Sequence, residues 1–383
     1  MKRLAFFSCA WLLIFAARLP LHAAPTWSHG SVLSSNEFPI AVWLQDPKNA
    51  PRFKAAGFNL FVGLWAGPTE AQLAALTAAR MPVICEQNAV ALRHKADPII
   101  VGWMHGDEPD NAQELPGKHG YGPPVAPQKI MSDYARLKAA DLSRPILLNL
   151  GQGVAWDNYF GRGVRTNHPE DYAEYLRGSD IVSFDIYPAV HEHPDVAGKL
   201  WFVPQGVTRL RQWSRDKKIV WNCIECTRIG NTQTKPTPAQ VRTEVWMSLI
   251  HGSRGLIYFV HQFQPRFIEA GLFADEEMTR AVTDLNRQIT ELAPVLNGPT
   301  LTDVISVESS NAAVPIASMV KRCDGALWLF AVAMRPGETS ATFTVKSSEH
   351  ATVLGENRQL AIHDGKFQDS FSPYAVHLYR LAP

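Results

Sequence analysis

Eight short apolar runs, separated by polar or helix-patterned stretches, organise the first three quarters of the chain. They are Pro39–Leu44, Phe58–Trp65, Pro82–Cys85, Ile99–His105, Pro145–Asn149, Asp180–Tyr187, Lys218–Ile224 and Gly255–Val260. None shows the strict alternation of a strand with one wet face. Near-continuous runs of this length fit parallel strands buried on both sides. Between them lie helical patterns. Thr69–Arg80 opens with a capping Thr and is rich in Ala and Leu, and Pro127–Ala140 and Pro238–His251 are similar. The segment between the third and fourth runs is short, so its helix is expected to be reduced. Eight strands with intervening helices over roughly 270 residues predict a (β/α)₈ TIM barrel. A doubly wound sheet is the rival, but Gln45-Asp-Pro-Lys48 follows the first run where such a sheet usually carries a Gly-rich phosphate loop.

The pattern changes near Asn297-Gly-Pro299. Short alternating segments follow at 313–320, 326–334, 341–345, 351–354 and 375–381, with turn signals at Arg335-Pro-Gly337 and His363-Asp-Gly365. This predicts a small C-terminal antiparallel β-sandwich. The expected organisation is a signal peptide over 1–24, a barrel over 25–296 and the β-sandwich over 297–383. The leader reading rests on Lys2 and Arg3, the apolar stretch Leu4–Ala17 and small residues near Ala23. That stretch is too short for a comfortable membrane span. A secreted or periplasmic protein with no membrane attachment after cleavage is expected.

With 383 residues and 46% hydrophobic content, one large core and a smaller one are affordable. The net charge of +1 is balanced and shows no basic stripe, which argues against a nucleic-acid partner. Eleven Trp suit either core packing or the stacking of sugar rings. Beyond Cys9, the cysteines at 85, 223, 226 and 323 are too few for a disulfide scaffold. Buried thiols are expected, with a bridge from Cys85 to Cys223 or Cys226 left open. His191-Glu-His193 lacks a third ligand at a telling spacing, so no metal is expected, nor any cofactor.

Candidate chemistry lies at the C-terminal ends of the runs, where barrel enzymes place it. The fourth run ends in His105, Asp107 and Glu108, and the seventh in Glu225. The other ends offer Trp43, Gln45 and Asp46, then Trp65, Glu86 and Gln87, Asn149 and Gln152, Asp185 and Tyr187, and His261 and Gln262. Paired carboxylates are costly to bury without partners, but glycoside hydrolysis needs two: an acid of raised pKa and a nucleophile or base. Loop residues within reach are Trp156, Tyr159, Arg162, Tyr121 and Phe263. Structural alternatives are a helix cap for Glu108 and an ion pair of Glu225 with Arg228 or Arg254.

This layout resembles clan A of the retaining glycoside hydrolases. The resemblance implies Glu108 as acid/base, Glu225 as nucleophile and Tyr187 as the tyrosine that orients the nucleophile. It also implies a carbohydrate substrate with β-linkages. By their places at strand ends and on the loops, Asp107, His105, Asn149, Trp43, Trp65, Asp185, His261 and Trp156 are expected to hold it. One departure stands out. The clan usually has Asn before the acid/base, and this chain has Asp107. An Asp-Glu pair is also similar to that of substrate-assisted N-acetylhexosaminidases, in which Glu225 need not be a nucleophile. A third reading is a glycan-binding barrel without catalysis.

Overall fold

The structure is a computed structural model describing residues 36–346 and 348–382. The expected leader over 1–24 lies outside the described residues. Strands β1 (Ile40–Trp43), β2 (Leu60–Val62), β3 (Val83–Glu86), β4 (Ile100–Met104), β5 (Ile146–Leu150) and β6 (Ile181–Phe184) pair in parallel in that order. β7 comes in two segments, Ile219–Val220 and Asn222–Glu225, and β8 is Leu256–Phe259. The first segment of β7 pairs with β6, the second with β8, and β8 pairs with β1. The sheet therefore closes into the eight-stranded barrel expected from the apolar runs. The break in β7 falls at Trp221, whose N–H still bonds Val182 at 2.9 Å. Its indole plugs the barrel's interior against Gly255, where a Cβ would meet the ring at 2.5 Å.

The continuity of the apolar runs has a direct cause. Ala41, Trp43, Leu60, Val62, Ile84, Leu147, Trp221 and Ile257 point inward and fill the barrel. Their neighbours Val42, Phe61, Val83, Leu148, Val182 and Tyr258 point out into the helix layer. The helix after β3 shrinks to Ala89–Arg93, as its short connection predicts. Capping boxes start the helices at Thr69 with Gln72 and at Thr237 with Gln240, supplying acceptors to otherwise unpaired N–H groups.

Past Asn297, two antiparallel sheets of six and three strands face each other. Leu329, Phe343, Phe367, Phe371 and Tyr379 pack between them. The outer face of the larger sheet lies on the helix Pro238–Ile250, where Phe330 stacks on Trp246 at 5.2 Å. Cys85, Cys223 and Cys226 are free, buried thiols. This settles the bridge left open above.

Candidate active site

After β4 the chain turns sharply through His105-Gly-Asp-Glu-Pro109, and Glu108 adopts a left-handed φ of 41°. Such a conformation is strained for a residue with a side chain. The surroundings hold it there. Asp110 is fully buried and accepts the Gly151 N–H at 2.9 Å and the Tyr172 hydroxyl at 2.8 Å. Arg162, also buried, donates to the Asp110 carbonyl at 3.3 Å and lies over the Tyr172 ring. Gly151 leaves room for the acid, since a Cβ there would sit 2.9 Å from Glu108 Oε1.

Three carboxyl groups converge at this turn. Asp107 accepts from Asn149 Nδ2 at 2.9 Å, and Asn149 Oδ1 accepts from Ser183 Oγ at 2.7 Å. Asp185, from the end of β6, is in hydrogen-bond contact with Glu108. One Asp185 oxygen receives only a long hydroxyl bond from Tyr187, at 3.5 Å, and the other meets no donor. Asn111 donates to Glu108, but among the described residues nothing comparable serves Asp185, so the two carboxyl groups in contact favour a shared proton. Burial, and then the charges of Asp107 and Asp110, pushes Glu108 up to about 7. Burial, followed by Glu108 and Asp107, holds Asp185 well above the usual carboxylate range.

The cluster opens into a cleft of about 790 Å³. Its walls are largely aromatic: Trp43, Trp65, Tyr159, Tyr187, Phe259, Phe263 and Phe267, with His261 among them. Trp65, Phe263 and Phe267 are exposed at 71, 47 and 63%. Leu44 and Ile229, also lining residues, share the left-handed backbone of Glu108. Glu269 faces the cluster from the loop after β8, its carboxylate tied to the Asp46 N–H at 2.8 Å.

Of the residues expected from sequence, Asp107, Glu108, Asp185, Tyr187, Trp43, Trp65 and His261 line this cleft, together with Gln152, Tyr159 and Phe263. Four do not. Glu225 is fully buried, and its two oxygens accept the N–H groups of Ala189 and Val190 at 2.6 and 3.0 Å. It is also in hydrogen-bond contact with Glu244 of the helix Pro238–Ile250, and burial pushes it up to about 7. The two glutamates expected to flank one bond therefore do not share a cleft, and Tyr187 attends Asp185 rather than Glu225. Nor, among the described residues, does Glu225 form an ion pair with an arginine: its oxygens are taken by the two amides. His105 points outward to the Gly178 carbonyl at 2.8 Å. Asn149 is consumed in holding Asp107. Trp156 is buried against Tyr159, His191 and His193. Arg162 braces the turn from behind, and Tyr121 lies off the cleft. Sequence reasoning missed Asp110, Phe259, Phe267 and Glu269. The first was readable as a third acid in Asp107-Glu-Pro-Asp110, whereas Phe267 and Glu269 carried no signal.

No protein-family model matches the chain, and no curated protein matches it. Solved structures do match its fold. An alpha-amylase from Geobacillus thermoleovorans, complexed with acarbose, superposes with a TM-score of 0.55 at 10% identity, over 94% of this chain and 99% of that one. An alpha-amylase from Lactobacillus plantarum gives 0.52 at 12% identity, over 91% and 99%. A proposed alpha-galactosidase from Bacteroides fragilis gives 0.55 at 9% identity, over 92% and 81%. The barrel with a C-terminal β domain is thus the architecture of these proteins.

Proposed function

We propose that the chain is a glycoside hydrolase in which Glu108 is the proton donor. One observation carries this reading. A carboxyl group held protonated near neutrality, and strained into place, stands at the end of β4 in an open, aromatic-walled cleft. An acid tuned to the operating pH is what leaving-group protonation needs, and aromatic walls suit the apolar faces of sugar rings. The shared fold with carbohydrate-acting barrels agrees with it.

The carboxylate spacing bears on mechanism. Retaining pairs stand about 5–5.5 Å apart and inverting pairs about 6.5–9.5 Å. Glu108 and Asp185 are instead in contact, and Glu225 is sealed away. This favours the substrate-assisted alternative. The substrate's own 2-acetamido oxygen attacks the anomeric carbon, Asp185 and Asp107 orient the acetamido group, and Glu108 protonates the departing oxygen and later activates water. Attack by that group requires a leaving group on the opposite face, hence a β-linked N-acetylhexosaminide. The expected leader makes the enzyme an exported one.

The test compares aryl β-glycosides of N-acetylhexosamines with those of the parent hexoses. Turnover confined to the 2-acetamido series and lost in Glu108→Gln supports the proposal. Equal turnover of 2-hydroxy substrates would exclude acetamido assistance. Glycan binding that survives Glu108→Gln, with no turnover of any glycoside, would make the chain a binding barrel.

A further inference from the structure

At the opposite end of the barrel, a hollow of about 360 Å³ lies between the N-terminal ends of β7 and β8 and the first strands of the C-terminal sheet. Arg211, Lys218, Arg254 and Lys321 all line it, against one carboxylate, Asp216. Lys321 is only 3% exposed, and its ammonium has the Gly298 carbonyl as partner at 2.7 Å. Lys218 donates to the Ser179 carbonyl at 2.5 Å. Arg211 spends its Nε on Asp216 at 2.7 Å and one Nη on the His251 carbonyl at 2.9 Å. Arg254 is half-buried, and among the described residues no acceptor meets its guanidinium, which is left to solvent in the hollow. Four cations thus face one hollow against a single carboxylate, an excess of positive charge that a bound anion would offset. The strain registers on its neighbours. Burial, then Arg254 and Arg211, pushes Lys321 down to about 8, and burial, then Arg211, pushes His251 down to about 4.

We propose that this hollow is an anion site for a small oxyanion of the phosphate or sulfate class. The anion would bridge Arg254 and Lys321 and so clamp the lower rim of the barrel to the C-terminal sheet. Guanidinium forks match the oxygens of such ions, while Thr300 and Thr302 around the rim offer hydroxyls. The site lies at the far end from the cleft, so it stands or falls independently of the glycosidase reading.

The experiment uses the whole protein, exchanged into chloride buffer and titrated with inorganic phosphate and with sulfate at constant ionic strength. Melting temperature and calorimetric heat are both read. A ligand confined to the folded state should raise Tm by about 3–5 °C at a hundredfold excess over its Kd. Arg254→Gln breaks no side-chain bond within the protein. It should abolish the phosphate response while raising Tm in chloride alone, because it relieves like-charge repulsion. Lys321→Gln should do the same. A merely structural arginine would lower Tm in every buffer. The proposal is overturned if phosphate and sulfate act no differently from chloride, or if Arg254→Gln keeps the wild-type response. Calorimetry on the unaltered protein decides the matter even where a variant fails to fold.

Discussion

Glu225 is the residue whose substitution best separates the geometry from the motif. In the structure it clamps the loop after β6, the loop that follows Asp185 and Tyr187, through the amides of Ala189 and Val190. Replacing it by Ala removes both acceptors in a site closed to water. A buried amide left without a partner costs about 1–3 kcal/mol, so two cost about 2–6 kcal/mol. Glu225→Gln retains one acceptor oxygen and turns an NH₂ toward the other amide, so about half that loss is expected. Activity should fall because Asp185 is less well held, by about 10- to 100-fold in kcat, and added azide or formate should not restore it. Removing a true nucleophile costs roughly 10⁴-fold or more, and a small anion can then take its place. Urea melts at pH 6 and steady-state kinetics on an aryl glycoside, with and without azide, make the comparison. Near-native stability of Glu225→Ala, together with a loss above 10⁴-fold and a glycosyl azide product, would refute the clamp and restore double displacement.

Three further outcomes follow from the same structure. Glu108 must be protonated to act as an acid, so kcat/KM should fall tenfold per pH unit above about 7. Asp107→Asn removes the largest neighbouring charge while leaving the burial, and should move that limb to lower pH. Glu225 titrates near 7 when folded, against about 4.5 when unfolded. A raised folded pKa gives stability that is complete below the unfolded value and is lost as pH rises through the folded one. Stability should therefore decline between pH 5 and 7, and Glu244→Gln should flatten that decline, as read from denaturant midpoints across the range. Trp65→Ala and Phe263→Ala should each raise KM for a long glycan about tenfold, roughly 1.4 kcal/mol. They should leave a short aryl glycoside nearly unaffected, because both rings sit exposed at the cleft's rim. An equal effect on both substrates would place them in the subsite at the scissile bond.

The barrel was legible because its strands are buried on both faces, so each shows as an unbroken apolar run. The C-terminal sheets were harder. Lys366–Phe371 alternates cleanly in burial, but one of its inward residues is Asp369, held by Arg358 at 2.8 Å and the Tyr379 hydroxyl at 2.8 Å. A charge at an inward position breaks the apolar template, and the strand escapes a pattern search. The strands Ser306–Ser309 and Arg358–Ala361 are half exposed and polar, and escape for the same reason. At the site, counting strand ends found the turn at Asp107-Glu108, because that depends only on where runs stop. It could not find orientation. When both faces of a strand are apolar, nothing in the run says which residues point inward. Met104 fills the barrel, so His105 must face out. Parity fails differently at Glu225. Trp221 and Cys223 point inward and imply the same for Glu225, yet the neighbouring loop and helix claim its carboxylate. The clue lay in that helix rather than in the strand. Val241, Val245, Trp246, Met247, Leu249 and Ile250 spread apolar surface over most of the circumference of Pro238–Ile250, and Glu244 stands beside them. A carboxyl group in such a helix must find a proton or a partner, and the strand beneath it ends in one.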